Sequence, residues 1–291
     1  MSVKIVVPAS SANLGPGFDS LGLAVDRYLT LEVLDDEASK WRIEHDFGHK
    51  IPHDERNLII KAALALEPKL SPKRLKVTSQ IPLARGLGSS SSAIVAGLKL
   101  AQYFAQTAYT TEDLLQVATD LEGHPDNVAP ALLGGLTVSV MLNGRPHSIC
   151  ASFPAEGLLA YIPDFELATK ESRQVLPNEL SYKTAVRAGS LGNALVAALL
   201  TNDLALVKEL LEQDLYHEPY RQKLVPHLQL LRKLAHEVNA DGTYLSGAGP
   251  TVMTLIGPAK METLIKKARK QGLTGKFIKL EVDTLGARVE K

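Results

Sequence analysis

The sequence predicts an α+β fold, large enough for two domains, and three observations point there. Strand-like and helix-like segments are mixed along the chain without the regular alternation of a doubly wound parallel sheet. The 291 residues, 45% hydrophobic and 22% charged, suit a sizeable core and exclude wholesale disorder, a collagen-like repeat and a coiled coil. The glycines cluster, at Gly15/Gly17/Gly22, Gly86/Gly88, Gly134/Gly135 and Gly247/Gly249. Such pairs within apolar segments mark places where the backbone takes a positive φ or comes close to something.

Strands are expected where β-branched or alternating runs are bounded by Gly, Pro or Asp. These runs lie at 3–7, 29–34, 41–45, 75–80, 136–141, 158–162, 251–256 and 277–282. Helices are expected at 58–66, 90–104, 112–121, 191–200, 204–213, 224–238 and 259–271. The third opens on a capping-box pattern, Thr110-x-x-Asp113, and carries one apolar stripe of Leu114, Leu115, Ala118 and Leu121. No repeat or long linker interrupts the chain, and Phe153-Pro154-Ala155 is the expected seam between two halves.

Charge narrows the partners. Lys plus Arg equals Asp plus Glu at 32 each, so no overall field attracts a nucleic acid or an anionic membrane, and any bound anion must be held locally. Cys150 is the single cysteine, which excludes an internal disulfide and fits a reducing compartment. It reads as a small core filler. Residues 1–8 are too short and polar for a secretory h-region, and apolar stretches such as 194–200 are too short to span a bilayer. The expectation is a soluble cytoplasmic protein. His45, His49 and His53 are spaced like a metal-binding helix face, but Gly48 and Pro52 interrupt them, so they read as a solvated loop. Lys266, Lys267, Arg269 and Lys270 read as the solvated face of an amphipathic helix.

Three glycine-rich segments carry the chemistry. Pro82-Leu-Ala-Arg-Gly-Leu-Gly-Ser-Ser-Ser-Ser-Ala93 follows an expected strand and opens an apolar helix. A helix start presents unpaired N–H groups and partial positive charge, which favours an anion. It is neither a Walker A loop nor Gly-x-Gly-x-x-Gly. A serine N-cap after a tight turn would explain one Gly-x-Gly-Ser, but four consecutive serines at a helix start are a poor choice for stability alone. The second segment, residues 8–24, follows the first strand as a Gly/Pro loop. Its Asn13 and Asp19 stand among small residues, suited either to gripping a ligand or to capping their own turns. The third, Leu245-Ser-Gly-Ala-Gly-Pro-Thr-Val252, reads as a tight helix-to-strand connection whose functional role would be close packing on another glycine loop.

Taken in chain order, 8–24, 82–93 and 246–251, the three segments resemble the motifs of the GHMP kinase superfamily, which phosphorylates galactose, homoserine, mevalonate and phosphomevalonate. Residues 8–24 are most similar to the homoserine-phosphorylating branch, Pro-x-Ser-x-Ala-Asn-Leu-Gly-x-Gly-Phe-Asp. Further matches are Asn57-Leu-Ile, Leu121-Glu-Gly-His-Pro-Asp-Asn-Val-Ala-Pro130, Thr169-x-x-x-Arg173-x-x-Leu-Pro177 and Glu218-Pro-Tyr-Arg221. The resemblance implies two α+β domains, 1–154 and 155–291. The first would resemble a ribosomal-protein domain with a left-handed βαβ crossover and the second would be ferredoxin-like, with the active site between them.

The same resemblance implies transfer of the ATP γ-phosphoryl group to the hydroxyl of L-homoserine, on the route to threonine, with Mg²⁺ as cofactor. Pro82, Leu83, Ala84, Arg85, Gly86, Leu87, Gly88, Ser89, Ser90, Ser91 and Ser92 would surround the nucleotide, with Asn57 either near the adenine or a plain N-cap. Ser89 or Ser90, together with Glu122, would hold the metal. Arg173 and Arg221 would pair with the substrate carboxylate, as the guanidinium fork allows. Asn13, Asp19 and Asn127 would hold the amino group and the reacting hydroxyl, with Thr169 close by. Asn127 stands where mevalonate-type relatives can carry a basic Asp, which suggests direct attack by the hydroxyl; Asp126 is the reserve base, on the other side of the backbone if the segment is extended. Arg85 replaces a small residue of many relatives and either adds charge near the phosphates or points to solvent. Relatives are often dimers, so a homodimer is expected.

Overall fold

The structure, a computed structural model, describes residues 3–154 and 157–290. Ala155, in the expected seam, lies outside the described residues. The first half contains β1 (Lys4–Ala12), β2 (Leu21–Asp35), β3 (Arg42–Glu44), α1 (Leu58–Leu66), β4 (Arg74–Ser79), α2 (Ser89–Phe104), α3 (Thr111–Glu122), α4 (Pro125–Leu133), β5 (Leu136–Leu142) and β6 (Arg145–Ala151). Its sheet runs β11-β1-β2-β4-β3, where β11 (Arg288–Glu290) is the last strand of the chain. The long β2 forks: its first residues pair with β5 and its later ones with β4, while β1 follows it throughout across a bulge at Pro8/Ala9. The β3–α1–β4 unit is the one parallel pairing among the described strands.

Local chemistry sets the helix ends. Asn57 caps α1 by accepting from the Ile59 N–H at 3.0 Å. Thr110 and Asp113 close the expected capping box of α3, and Gly123 ends it in the left-handed conformation. α2 is buried on most sides beyond its first turn, as the apolar run 93–98 requires.

The second half contains β7 (Leu158–Ile162), α5 (Thr169–Gln174), α6 (Tyr182–Leu200), α7 (Leu204–Leu210), α8 (Glu218–Arg221), α9 (His227–Glu237), β8 (Gly242–Leu245), β9 (Val252–Leu255), α10 (Pro258–Lys270) and β10 (Lys276–Leu280). Its antiparallel sheet runs β10-β7-β9-β8, the strand order of a ferredoxin-like fold. β7 shows how the halves share a core. Leu158, Ala160 and Ile162 join the large first cluster, while Leu159 and Tyr161 join the cluster under α9 and α10. Alternate residues of a strand face opposite sides, so a strand covered on both faces must be apolar throughout.

Several expectations change. Residues 8–12 continue β1 rather than forming a loop, because the chain stays paired with β2 to Ala12↔Gly22. The third glycine segment joins two strands, β8 and β9, not a helix and a strand. α6 starts at Tyr182, capped by Ser181, well before 191, since its first turns are solvent-facing and need no apolar stripe. Cys150 is exposed on β6, an edge strand with one face open, and is no core filler. After β10 the chain leaves the second half: Ala287 N–H donates to the Leu132 carbonyl and β11 covers the free edge of β1. Among the described residues, no helix is long and apolar enough to cross a membrane.

Candidate active site

The turn from β4 into α2 passes through three residues with left-handed φ, Ala84, Gly86 and Gly88. Gly88 is the N-cap of α2 and offers no side chain to its N–H groups. The start of α2 therefore keeps its donors and its partial positive charge for something else. Glycine is needed twice here for space as well as for φ. A Cβ on Gly86 would stand 2.4 Å from the Ser246 carbonyl oxygen, and one on Gly88 2.0 Å from Ser10 Oγ. The β8–β9 hairpin thus packs directly on this loop, the loop-on-loop contact expected from sequence, and Ser246 Oγ donates to the Gly86 carbonyl.

The serine run divides by helical position. Ser89 and Ser90 line an open cavity of about 230 Å³, with Ala84, Arg85, Gly86 and Gly88 beside them. Ser90 and Ser91 both donate to Glu122 Oε1, at 2.8 and 2.9 Å, joining the start of α2 to the end of α3. Ser92 points away and donates to the Pro8 carbonyl, and Leu87 is a core residue. Pro82, Leu83, Leu87, Ser91 and Ser92 do not reach the cavity wall. Asn57 does not either. It caps α1 and its Nδ2 donates to the Pro52 carbonyl, so both ends of its amide are used locally. Arg85 does not point to solvent: Nη2 donates to the Asp164 carbonyl at 2.7 Å, tying the loop to the second half.

The opposite wall is made by the β1–β2 loop and the second half. Asn13 and Asp19 hold left-handed φ values of +77° and +55°. Asn13 Oδ1 accepts from the Asp19 N–H and its Nδ2 donates to the Gly247 carbonyl, so its amide frames the loop against the hairpin. Arg173, near the end of α5, grips Asp19 through both terminal nitrogens, at 2.7 and 3.1 Å. Arg221, the last residue of α8, is 1% exposed. It donates to the Ser172 and Gly247 carbonyls and to His217 Nδ1. Burial and the nearby charge of Arg173 push its pKa down to about 10. Both guanidinium groups lie over the Phe18 ring, at 5.6 and 5.5 Å from its centroid. Thr169, the first residue of α5, adds a hydroxyl to the wall.

The first turn of α4 closes the floor. It is helical, not extended, so Asp126 and Asn127 both line the cavity instead of facing opposite ways. Asn127 Oδ1 accepts from Ser10 Oγ at 2.9 Å. Asp126 pairs with His124 through a short contact. Burial opposes charge on His124, but the hydrogen bond and charge of Asp126 outweigh it and raise the histidine pKa.

The structure thus gathers Asn13, Asp19, Glu122, Asn127, Thr169, Arg173 and Arg221 around one cavity with Arg85, Gly86, Gly88, Ser89 and Ser90. Sequence reasoning missed Phe18, His124 and His217. All three sit inside or beside quoted segments: Phe18 before Asp19, His124 before Pro125, and His217 before Glu218. One end of the cavity suits a polyanion. The other offers two cations and a carboxylate, the pattern for a small zwitterion.

The chain matches the family description GHMP kinases N terminal domain over residues 57–135 and GHMP kinases C terminal over residues 195–273. It is 54% identical to the homoserine kinase of Lactococcus lactis subsp. cremoris, with 99% of each chain covered. It is 53% identical to the homoserine kinase of Streptococcus pneumoniae, again over 99% of each. Among solved structures, the homoserine kinase from Cytophaga hutchinsonii superposes with a TM-score of 0.85 at 30% identity, covering 99% of this chain and 97% of that one.

Proposed function

The chain belongs to the GHMP kinases, and from that premise we infer that it acts as a homoserine kinase, moving the γ-phosphoryl group of ATP to the hydroxyl of L-homoserine. The observation that carries the substrate assignment is the grouping of Arg173, Arg221 and Asp19 around Phe18, in the same cavity as the uncapped start of α2. Phosphoryl transfer of this kind depends on positioning and charge neutralisation more than on covalent chemistry.

The backbone of Gly86 to Ser90 holds the ATP phosphates, since no side chain competes for the N–H groups there. Ser90 and Glu122 supply a hydroxyl and a carboxylate oxygen already in contact, hard donors that fit Mg²⁺, with Ser89 adjacent. When bound there, Mg²⁺ neutralises phosphate charge. Arg173 and Arg221 hold the homoserine carboxylate and Asp19 its ammonium group. Asn127, with Asn13 and Thr169 close by, orients the hydroxyl. An amide takes no proton at neutral pH, so Asn127 fixes the nucleophile and the proton leaves to phosphate or solvent. Asp126 is engaged by His124, which favours Asn127 as the residue facing the reacting oxygen.

As the work of an amino-acid biosynthetic enzyme, this activity belongs in the cytoplasm, and we assign the chain there as a homodimer, in keeping with the family resemblance. A substrate panel with coupled detection of ADP tests the function. Homoserine turns over and mevalonate and galactose do not; turnover of mevalonate without homoserine would remove the reading and leave another GHMP small-molecule kinase in its place.

A further inference from the structure

The mechanism above uses Arg221 but not the histidine one helical turn before it. His217 is wholly buried. Its Nδ1 lies 3.0 Å from Arg221 Nη1, and its Nε2 lies 3.2 Å from the Gly15 carbonyl oxygen. Guanidinium nitrogens only donate and carbonyl oxygens only accept. The ring must therefore accept at Nδ1 and donate at Nε2, which is the neutral Nε2–H tautomer. A protonated ring would aim a donor at a donor. Burial, the largest influence, pushes the His217 pKa down, in agreement with that tautomer.

The position links two walls of the cavity. Gly15 belongs to the β1–β2 loop, which carries Phe18 and Asp19. The His217 ring also stacks on Phe18, with centroids 5.2 Å apart at 22°. On the other side, Asp214 accepts from the N–H groups of Tyr216, His217 and Glu218 and so fixes the turn that presents the imidazole.

We propose that His217 is a positioning residue for the substrate carboxylate: its Nδ1 orients the Arg221 fork, and its Nε2–H holds the β1–β2 loop at the matching distance. This rests on the reading of Arg221 as a carboxylate clamp.

Two near-isosteres separate the two bonds. In His217→Asn the amide oxygen can replace the Nδ1 acceptor but nothing reaches Gly15. In His217→Gln the amide N–H can replace the Nε2 donor but the acceptor for Arg221 is lost. The homoserine KM should rise roughly tenfold or more in His217→Gln and clearly less in His217→Asn, with the ATP KM unchanged in both. Equal homoserine KM in both variants, or a larger rise in His217→Asn, would overturn the proposal. Arg221→Ala is the control: if it leaves the homoserine KM unchanged, the clamp reading itself fails. If neither histidine variant folds, ¹⁵N NMR of the unaltered protein decides through the ring tautomer. An Nδ1–H imidazole would sink the proposal and an Nε2–H imidazole supports it.

Discussion

Arg173 closes on Asp19 with two parallel hydrogen bonds, 2.7 and 3.1 Å long, across the mouth of the cavity. Each group is the one a zwitterionic substrate needs. In the proposed binding mode homoserine inserts its carboxylate beside Arg173 and its ammonium beside Asp19, replacing one internal ion pair with two external ones. The pair is about one-third exposed on each side, so its own contribution to stability is small.

Asp19→Asn therefore separates binding from folding. The change keeps the backbone N–H that Asn13 holds, so the loop stays in place. It removes the charge proposed to face the substrate ammonium. The homoserine KM should rise roughly 10- to 100-fold, as for loss of a hydrogen bond to a charged group, with little change in ATP KM or Tm. Steady-state kinetics with each substrate varied in turn checks this, and a matching rise in ATP KM would show that Asp19 lies elsewhere in the reaction.

Glu122 is the last residue of α3, where helix-end carbonyls disfavour a carboxylate. Ser90 and Ser91 stabilise it by donating to the same oxygen. Glu122→Gln should lower kcat by about 100-fold or more and move half-saturation to higher Mg²⁺. Ser90→Ala should shift the Mg²⁺ dependence in the same direction and less far. Ser92 Oγ donates to the Pro8 and Gly88 carbonyls and not to Glu122, so Ser92→Ala should change Tm without changing the Mg²⁺ dependence. A Mg²⁺ titration of all three variants tests the set.

Most of this site was legible because its residues sit in short contiguous segments, where glycine spacing and serine runs have few structural explanations. What was not legible depends on contacts distant in sequence. Asn13 bonds to Gly247 and Arg85 to Asp164, and no local pattern announces either. The helical form of 125–133 was hidden by Pro125 and Pro130, although a proline is well placed in a first turn. The edge strand β6 was missed because its exposed and half-exposed residues lack clean alternation, and Cys150 was misplaced with it. β7, by contrast, was found with its bounds intact, since burial on both faces leaves an unbroken apolar run.

Two glycines with similar φ make opposite predictions. Gly86 (φ +78°) and Gly123 (φ +93°) are both left-handed. A Cβ at Gly86 meets the Ser246 carbonyl at 2.4 Å, whereas one at Gly123 meets nothing within 4 Å. Gly123→Ala should lose only the backbone term, about 1 kcal/mol. Gly86→Ala must also push the hairpin off the loop before α2, so it should lose more stability and, if that loop holds the ATP phosphates as proposed, raise the ATP KM as well. Thermal melts together with ATP kinetics test the contrast, and equal losses from both would show that the loop contact does not matter.

The last prediction concerns acid. His227 is buried, donates through Nε2 to the Pro250 carbonyl at 2.8 Å and lies edge-on to Tyr161 and Phe165. Burial pushes its pKa below the usual histidine value, as it does for His217. The unfolded chain therefore binds protons at a higher pH than the folded one. Above the unfolded pKa of about 6.5 both states hold neutral rings and nothing is lost. As pH falls through that value, unfolding is favoured by up to about 1.4 kcal/mol per pH unit for each such histidine, until the folded pKa is reached. Glutamine at 227 can keep the donor to Pro250 and cannot titrate in this range. Melts of His227→Gln should therefore show a shallower fall in Tm below about pH 6.5 than the parent, with the His217 contribution still present. Because every other titrating group is shared, the difference between the two curves isolates this ring, and parallel curves would mean that His227 is not buried neutral.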